Sequence, residues 1–241
     1  MNIQEIITLK DHPELVVLDG LNVVKKYNKF CGKLEKIFLS EEYLLDHPEL
    51  KNSAVEIQNI SKEEVSKIVG YKYHRGVIGI GKKPKFHSLE EMNGNAFLLN
   101  GVANAENVGS ICRSLAAFNI KNLIVDEKSC HPYLRRAVRV SMGNVFNLNI
   151  IKVENVFEAI ENLKANNYKV YAADFREHAI SMKQIQPAEH KSVIIIGSEG
   201  HGINPELYPK CTEVIKIDVN PEVEYLNAAV ASSVLAFWLN N

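Results

Sequence analysis

No stretch of this chain approaches the ~20 consecutive apolar residues that a membrane helix requires, so the sequence offers no membrane span. Its start, Met1-Asn2-Ile3-Gln4-Glu5, lacks the basic and apolar regions of a signal peptide. Cys31, Cys112, Cys130 and Cys211 lie far apart with no Cys-x-x-Cys pair, which excludes a disulfide framework and a zinc site. The expectation is a cytoplasmic protein with free thiols and no metal. Neither charge is in excess: 28 Lys+Arg against 29 Asp+Glu leave a net charge of −1. No bulk field attracts nucleic acid, and any RNA contact must come from a local patch. Both the Gly-x-Gly-x-x-Gly of dinucleotide sites and the phosphate-binding Gly-x-x-x-x-Gly-Lys-Ser/Thr are missing. Their absence disfavours a dinucleotide enzyme or an NTPase.

What is present is an ordinary globular composition, 46% hydrophobic and 24% charged over 241 residues. That length suits one large domain or two modest ones. Leu15–Leu18 reads as a strand ending at the turn Asp19-Gly20, and Leu21, Val24 and Tyr27 share one helical face. Further strands are expected at Ile37–Leu39, Val55–Ile57 and Val77–Ile80. Ser61-Lys62-Glu63-Glu64 has the form of a capping box opening a helix. The pentapeptide Asp-His-Pro-Glu-Leu occurs at 11–15 and again at 46–50, without the sustained period of a repeat architecture. A polar stretch from Lys82 to Asn95 marks a domain boundary, giving domains 1–90 and 91–241. Beyond it, apolar strands at Phe97–Leu99, Leu123–Val125, Val170–Ala172, Val193–Ile196 and Val214–Ile217 alternate with helices. A largely apolar helix spans Leu226–Leu239. This pattern predicts an α/β fold with a parallel sheet covered on both faces.

Three polar loops follow apolar strands, where open parallel sheets bind ligands: Asn104–Arg113, Ile196–Gly202 and Ile217–Asn227. Each has a structural alternative. Asn107 and Gly109 suit a helix cap, and Arg113 suits a surface ion pair. The glycines at 197, 200 and 202 permit positive φ and close backbone approach. Arg135, Arg136 and Arg139 are half of the six arginines in the chain. Arg135 and Arg139, at i and i+4, share a face suited either to RNA phosphate or to ion pairing. Pro132 suits the first turn of their helix.

Taken in order, the three loops resemble the SpoU (TrmH-like) family of S-adenosylmethionine-dependent RNA 2′-O-ribose methyltransferases. Asn107, Gly109 and Arg113 match its Asn-x-Gly-x-x-x-Arg motif. Gly197, Glu199 and Gly202 match Gly-x-Glu-x-x-Gly, and Leu226-Asn227 before Ala228–Ser232 matches the Leu-Asn helix start. Arg139-Val140-Ser141-Met142-Gly143 resembles the family's Arg-x-Ser-x-Gly. The third motif departs from the family pattern, with Tyr225 where a serine is usual.

The resemblance implies a trefoil-knotted methyltransferase domain and a ribosomal-protein-like RNA-binding domain at the N-terminus, with His74 and Arg75 as RNA contacts beside Arg135 and Arg139. It implies a cofactor held by backbone groups near Ile196, Gly197, Gly202, Ile217, Val219 and Leu226. Asn107, Glu199 and Asn227 would shape the catalytic site. Arg113 would act there on the substrate of a homodimer, either within one subunit or across the interface. The implied substrate is structured RNA, ribosomal more than transfer. The alternative is an RNA-binding relative with weak or no methyltransferase activity, which Tyr225 motivates.

Overall fold

The computed structural model describes residues 12–69, 76–186, 191–220, 222 and 225–240. His74 and Arg75 lie outside the described residues. The chain divides into two compact units, one of residues 1–85 with 133–147 and one of 86–132 with 148–241. A single boundary near residue 90 therefore does not describe the packing.

In the first unit, β1 (Leu15–Asp19), β2 (Leu34–Leu39), β3 (Ala54–Asn59) and β4 (Val77–Lys82) form a four-stranded sheet in the order β1-β4-β2-β3. Only β2 and β3 run parallel. Helix α1 (Leu21–Cys31) buries Val23, Val24 and Tyr27, as its apolar spacing dictates. Helix α2 (Glu41–Asp46), capped by Ser40, had no apolar stripe to announce it and buries no residue. Helix α3 (Lys62–Val69) opens on the capping box: Glu64 N donates to Ser61 Oγ at 3.1 Å, and Ser61 N to Glu64 Oε2 at 2.9 Å. The duplicated pentapeptide is no structural repeat, because Leu15 begins a strand while Leu50 is buried in a 3-10 turn.

Residues 133–147 join this unit. They carry helix α5 (Arg135–Val140), which starts after Pro132 and so leaves that proline outside the helix. Phe146 packs on Tyr133 and edge-on to Tyr27. Gly143, at φ 76°, lies against the Val23 backbone, where an added Cβ would meet Cα at 3.1 Å. The glycine of the Arg-x-Ser-x-Gly segment thus answers to its positive φ first and to close packing second.

In the second unit, seven parallel strands form the order β7-β6-β5-β10-β8-β11-β9. Their ranges are β5 (Ala96–Asn100), β6 (Asn122–Val125), β7 (Asn149–Lys152), β8 (Lys169–Ala173), β9 (Ile180–Ser181), β10 (Ser192–Gly197) and β11 (Glu213–Lys216). Leu98, Ile124, Val170 and Ile195 face one side and pack with Ile160 and Leu163 of α6 (Val156–Ala165). On the other side α4 (Ala105–Ala117) packs on α7 (Ala228–Leu239). Alternation along each strand divides these two layers. Strand β10 lies between β5 and β8, so the exits of β8, β10 and β11 open at the same edge of the sheet. No helix among the described residues is long and apolar enough to cross a membrane.

Candidate active site

A cavity of about 580 Å³ lies at that edge, walled by the exits of β8, β10 and β11 and the start of α7. Ile196, Gly197, Gly202, Ile217, Val219 and Leu226 all line it, as do Glu199 and Asn227. The loop after β10 closes on itself: Ser198 N donates to Gly202 O at 3.1 Å, and Gly202 N to Ser198 O at 2.9 Å. A Cβ at Gly197 would stand 2.3 Å from the Gly202 carbonyl carbon, so only glycine fits. Gly202 takes φ 66°, the second requirement for glycine in this loop. His201 lines the cavity, and its backbone N–H donates to Ser198 Oγ at 3.2 Å.

Asn227 joins the three motif loops. Its Oδ1 caps α7 by accepting from Ala229 N at 2.9 Å and Val230 N at 3.3 Å. The amide is thereby oriented, and its Nδ2 must donate on the other side. It does so to Asn107 Oδ1 at 3.1 Å and, by a short bond, to Glu199 Oε1. Asn107 is buried at 7% exposure, and its Nδ2 has no partner among the described residues. Asn107 is not the helix cap. Asn104 takes that place, accepting from Glu106 N at 2.8 Å, and α4 begins before both Asn107 and Gly109.

Asp126 braces the loops from below. Its buried carboxylate accepts from Asn100 Nδ2 at 2.9 Å, and from Gly101 N, Ser129 N and Ser129 Oγ. Asn100 Oδ1 in turn accepts from Asn204 N at 2.8 Å, just past the glycine loop. In the third loop, Ser181 Oγ donates to Asp218 at 2.6 Å, and this bond holds the Asp218 carboxyl below its usual range.

Arg113 is not brought to the cavity. It sits on the exposed face of α4, which places the other motif residues inward and this one outward. Arg135, a candidate RNA contact, is instead paired within the first unit with Asp19. The ion-paired alternative for that residue is what the geometry gives, because the buried carboxylate needs a cation. Arg139 is half-buried on the same helix. Tyr225 lines the cavity with 71% of its surface exposed.

The wall at the β8 exit, Asp174-Phe175, lies outside the three loops read from the sequence, and the first of those loops lines no part of the cavity. The signal at the β8 exit was the same as theirs, a polar residue directly after an apolar strand, but without glycine or a motif beside it. Tyr208 donates a short hydrogen bond to Asp174, and Arg176 lies 3.8 Å over the Tyr208 ring with Nε 3.3 Å from Asp174. Burial first, then the hydrogen bond to Asp174 and its charge, pushes the Tyr208 phenol up to about 12, so it stays a donor.

Residues 95–237 match the family model of the SpoU rRNA Methylase family. A Staphylococcus aureus protein assigned to the TrmH family of tRNA/rRNA methyltransferases is 29% identical over 140 residues, 58% of this chain and 56% of that protein. The chain thus spans a little over half the length of the curated relatives it matches. An rRNA methyltransferase from Sinorhizobium meliloti, solved with AdoMet bound, is similar with a TM-score of 0.84 and 19% identity, over 98% of this chain and 93% of that one. A structure described as an RNA 2′-O ribose methyltransferase is similar with a TM-score of 0.82 and 18% identity, over 98% of this chain and 94% of that one. At such identities these two likenesses concern the fold.

Proposed function

The chain belongs to the SpoU rRNA methylase family through residues 95–237, and on that premise we propose that it methylates a ribose 2′-hydroxyl of structured RNA, ribosomal rather than transfer, using S-adenosylmethionine. The observation that carries this reading is the convergence of Asn107, Asn227 and Glu199, from three separate stretches of chain, beside a glycine-walled cavity.

The cavity fits the cofactor. Its volume of about 580 Å³ is that of a small-molecule site. Its walls offer Ile196, Ile217, Val219 and Leu226 for an adenine ring, and glycine backbone at 197 and 202 for polar edges. When bound, the cofactor supplies an electrophilic methyl sulfonium, and the protein supplies position and electrostatics. Asn227 fixes the Glu199 carboxylate and the Asn107 amide in one hydrogen-bonded row. The Nδ2 of Asn107, without a partner among the described residues, is a donor with unused capacity at that row.

Arg113 serves the substrate. A guanidinium stays protonated in proteins and is a poor base; its part is to steady negative charge on the ribose oxygen and grip the neighbouring phosphate. Since it projects away from the cavity of its own chain, it acts across a homodimer. Exposed Val230 and Phe237 on α7, with Phe118 edge-on to Phe237, supply apolar surface for that dimer. The first unit binds the RNA, with Arg139 as a contact and Arg135 holding the helix that presents it. The knotted arrangement of the second unit belongs to the same reading. The similarity to an RNA 2′-O ribose methyltransferase favours ribose over base.

A second reading, an RNA binder with weak or no transferase activity, is favoured by the exposed Tyr225 ring at the cavity mouth. Incubation with methyl-tritiated S-adenosylmethionine and total RNA, followed by digestion to nucleosides, decides between them. Labelled 2′-O-methylnucleosides support the transferase. RNA binding without transfer, and with no heat from S-adenosylmethionine in calorimetry, supports the second reading. Labelled base-methylated nucleosides would overturn the ribose assignment.

A further inference from the structure

The charged side chains lining the cavity are Asp174, Glu199 and Lys216. Glu199 is engaged by Asn227. The Asp174 carboxylate is held from three directions: Phe175 N donates to Oδ1 at 2.7 Å, while Tyr208 Oη and Arg176 Nε donate to Oδ2. A carboxylate has about four acceptor positions, two on each oxygen. Among the described residues Oδ2 is filled, and Oδ1 retains one. The backbone beneath it is tied as well, with Asp174 N donating to Ile215 O at 3.0 Å. This is a fixed acceptor with spare capacity at the edge of a cavity whose apolar walls include Ile196, Ile203 and Ile215.

We propose that Asp174 is a cofactor-binding residue that accepts from one of the vicinal ribose hydroxyls of the bound nucleoside; the inference rests on the cavity being the S-adenosylmethionine site. Apolar walls accept an adenine ring but leave ribose hydroxyls unpaired, which is costly. A carboxylate beyond a strand of a parallel sheet is the group that takes such a diol in other nucleotide sites. Tyr208 and Arg176 are positioning residues, setting the side-chain angle of Asp174 before the ligand arrives.

The test is calorimetry with three probes: S-adenosylhomocysteine, 5′-methylthioadenosine, which lacks the amino-acid part, and 2′,3′-dideoxy-5′-methylthioadenosine. Asp174→Asn is expected to weaken the first two about 10- to 100-fold, the range of a hydrogen bond to a charged group. The dideoxy probe should already bind the unaltered protein that much more weakly, and lose nothing further in the variant. Equal penalties for diol and dideoxy probes would overturn the proposal. Weakening confined to S-adenosylhomocysteine would also overturn it, assigning the carboxylate to the α-ammonium. If the unaltered protein binds none of the probes, the cavity reading itself fails, and the inference with it. Should Asp174→Asn not fold, Tyr208→Phe keeps the carboxylate and frees its orientation. A loss confined to the diol-bearing probes then supports the proposal, and an equal loss for all three marks a mere brace.

Discussion

Arg135 grips the Asp19 carboxylate with both Nε and Nη2, each at 2.8 Å, and the Asp19 side chain is only 1% exposed. The pair joins two segments more than a hundred residues apart in sequence, the end of β1 and the start of α5. Removing Arg135 takes a bidentate partner from a buried carboxylate. Arg135→Ala should therefore destabilise the protein by about 3–5 kcal/mol in urea unfolding. Arg135→Lys keeps the charge but not the fork, and should fall between the two. A loss below about 1 kcal/mol for the alanine variant would show that the pair behaves as an exposed one.

The glycine loop offers a contrast within four residues. A Cβ at Gly197 collides with the backbone of Gly202 and Ile203, whereas one at Gly200 meets nothing within 4 Å. Gly197→Ala is expected to abolish S-adenosylhomocysteine binding in calorimetry, and Gly200→Ala to leave it unchanged. Retained binding in Gly197→Ala would mean that the loop does not wall the cofactor site.

Asn227 has two separable duties. Asn227→Asp keeps an oxygen to cap α7 but replaces the donor that reaches Asn107 and Glu199 with a second carboxylate. Stability should hold to within ~1 kcal/mol while methyl transfer falls at least about tenfold. Asn227→Ala loses the cap too, at about 0.5–2 kcal/mol. Thermal melts and transfer rates measured on the same preparations separate the effects.

Arg113→Lys preserves charge and removes the bidentate fork. If the guanidinium steadies charge on the ribose oxygen, kcat should drop about 10²- to 10³-fold, as for loss of a preorganised donor. Mixing Arg113→Lys with Asn227→Asp subunits should restore part of the activity if the residue acts across a dimer. A near-normal rate for the lysine variant alone would dismiss the fork.

Alkaline pH should loosen the fold. Burial pushes Tyr27 and Tyr208 up to about 12, and Cys31 and Cys211 up to about 11. A proton held more tightly in the folded state stabilises it fully below the ordinary thiol and phenol values, about 9 and 10. That contribution is lost as pH rises through 9 to 12. Urea midpoints should be level to about pH 9 and then decline. A midpoint rising over that interval would contradict the burial of these groups.

Local pattern accounts for much of what is seen. Apolar runs located most of the strands, and the spacing of Leu21, Val24 and Tyr27 located α1. Ser61 and Glu64 marked the start of α3 through bonds three residues apart. These are short-range matters, decided by burial of one face and by capping. Helix α2 leaves no pattern in the sequence because it buries nothing. The motif loops were legible because glycine at 197 and 202, and asparagine before an apolar helix, are residue choices forced by local geometry.

Chain order alone determined the α/β alternation, the positions of three loops and the residue types within them. Tertiary structure decided which of those residues meet. It placed β10 between β5 and β8, drew Asn107, Asn227 and Glu199 into one row, added Asp174 to the cavity wall and left Arg113 facing outward. It also turned Arg135 toward Asp19 and carried residues 133–147 to the first unit. Contacts across a hundred residues leave no periodicity behind, because they are selected by packing and by the cost of burying an unpaired charge, not by neighbours along the chain.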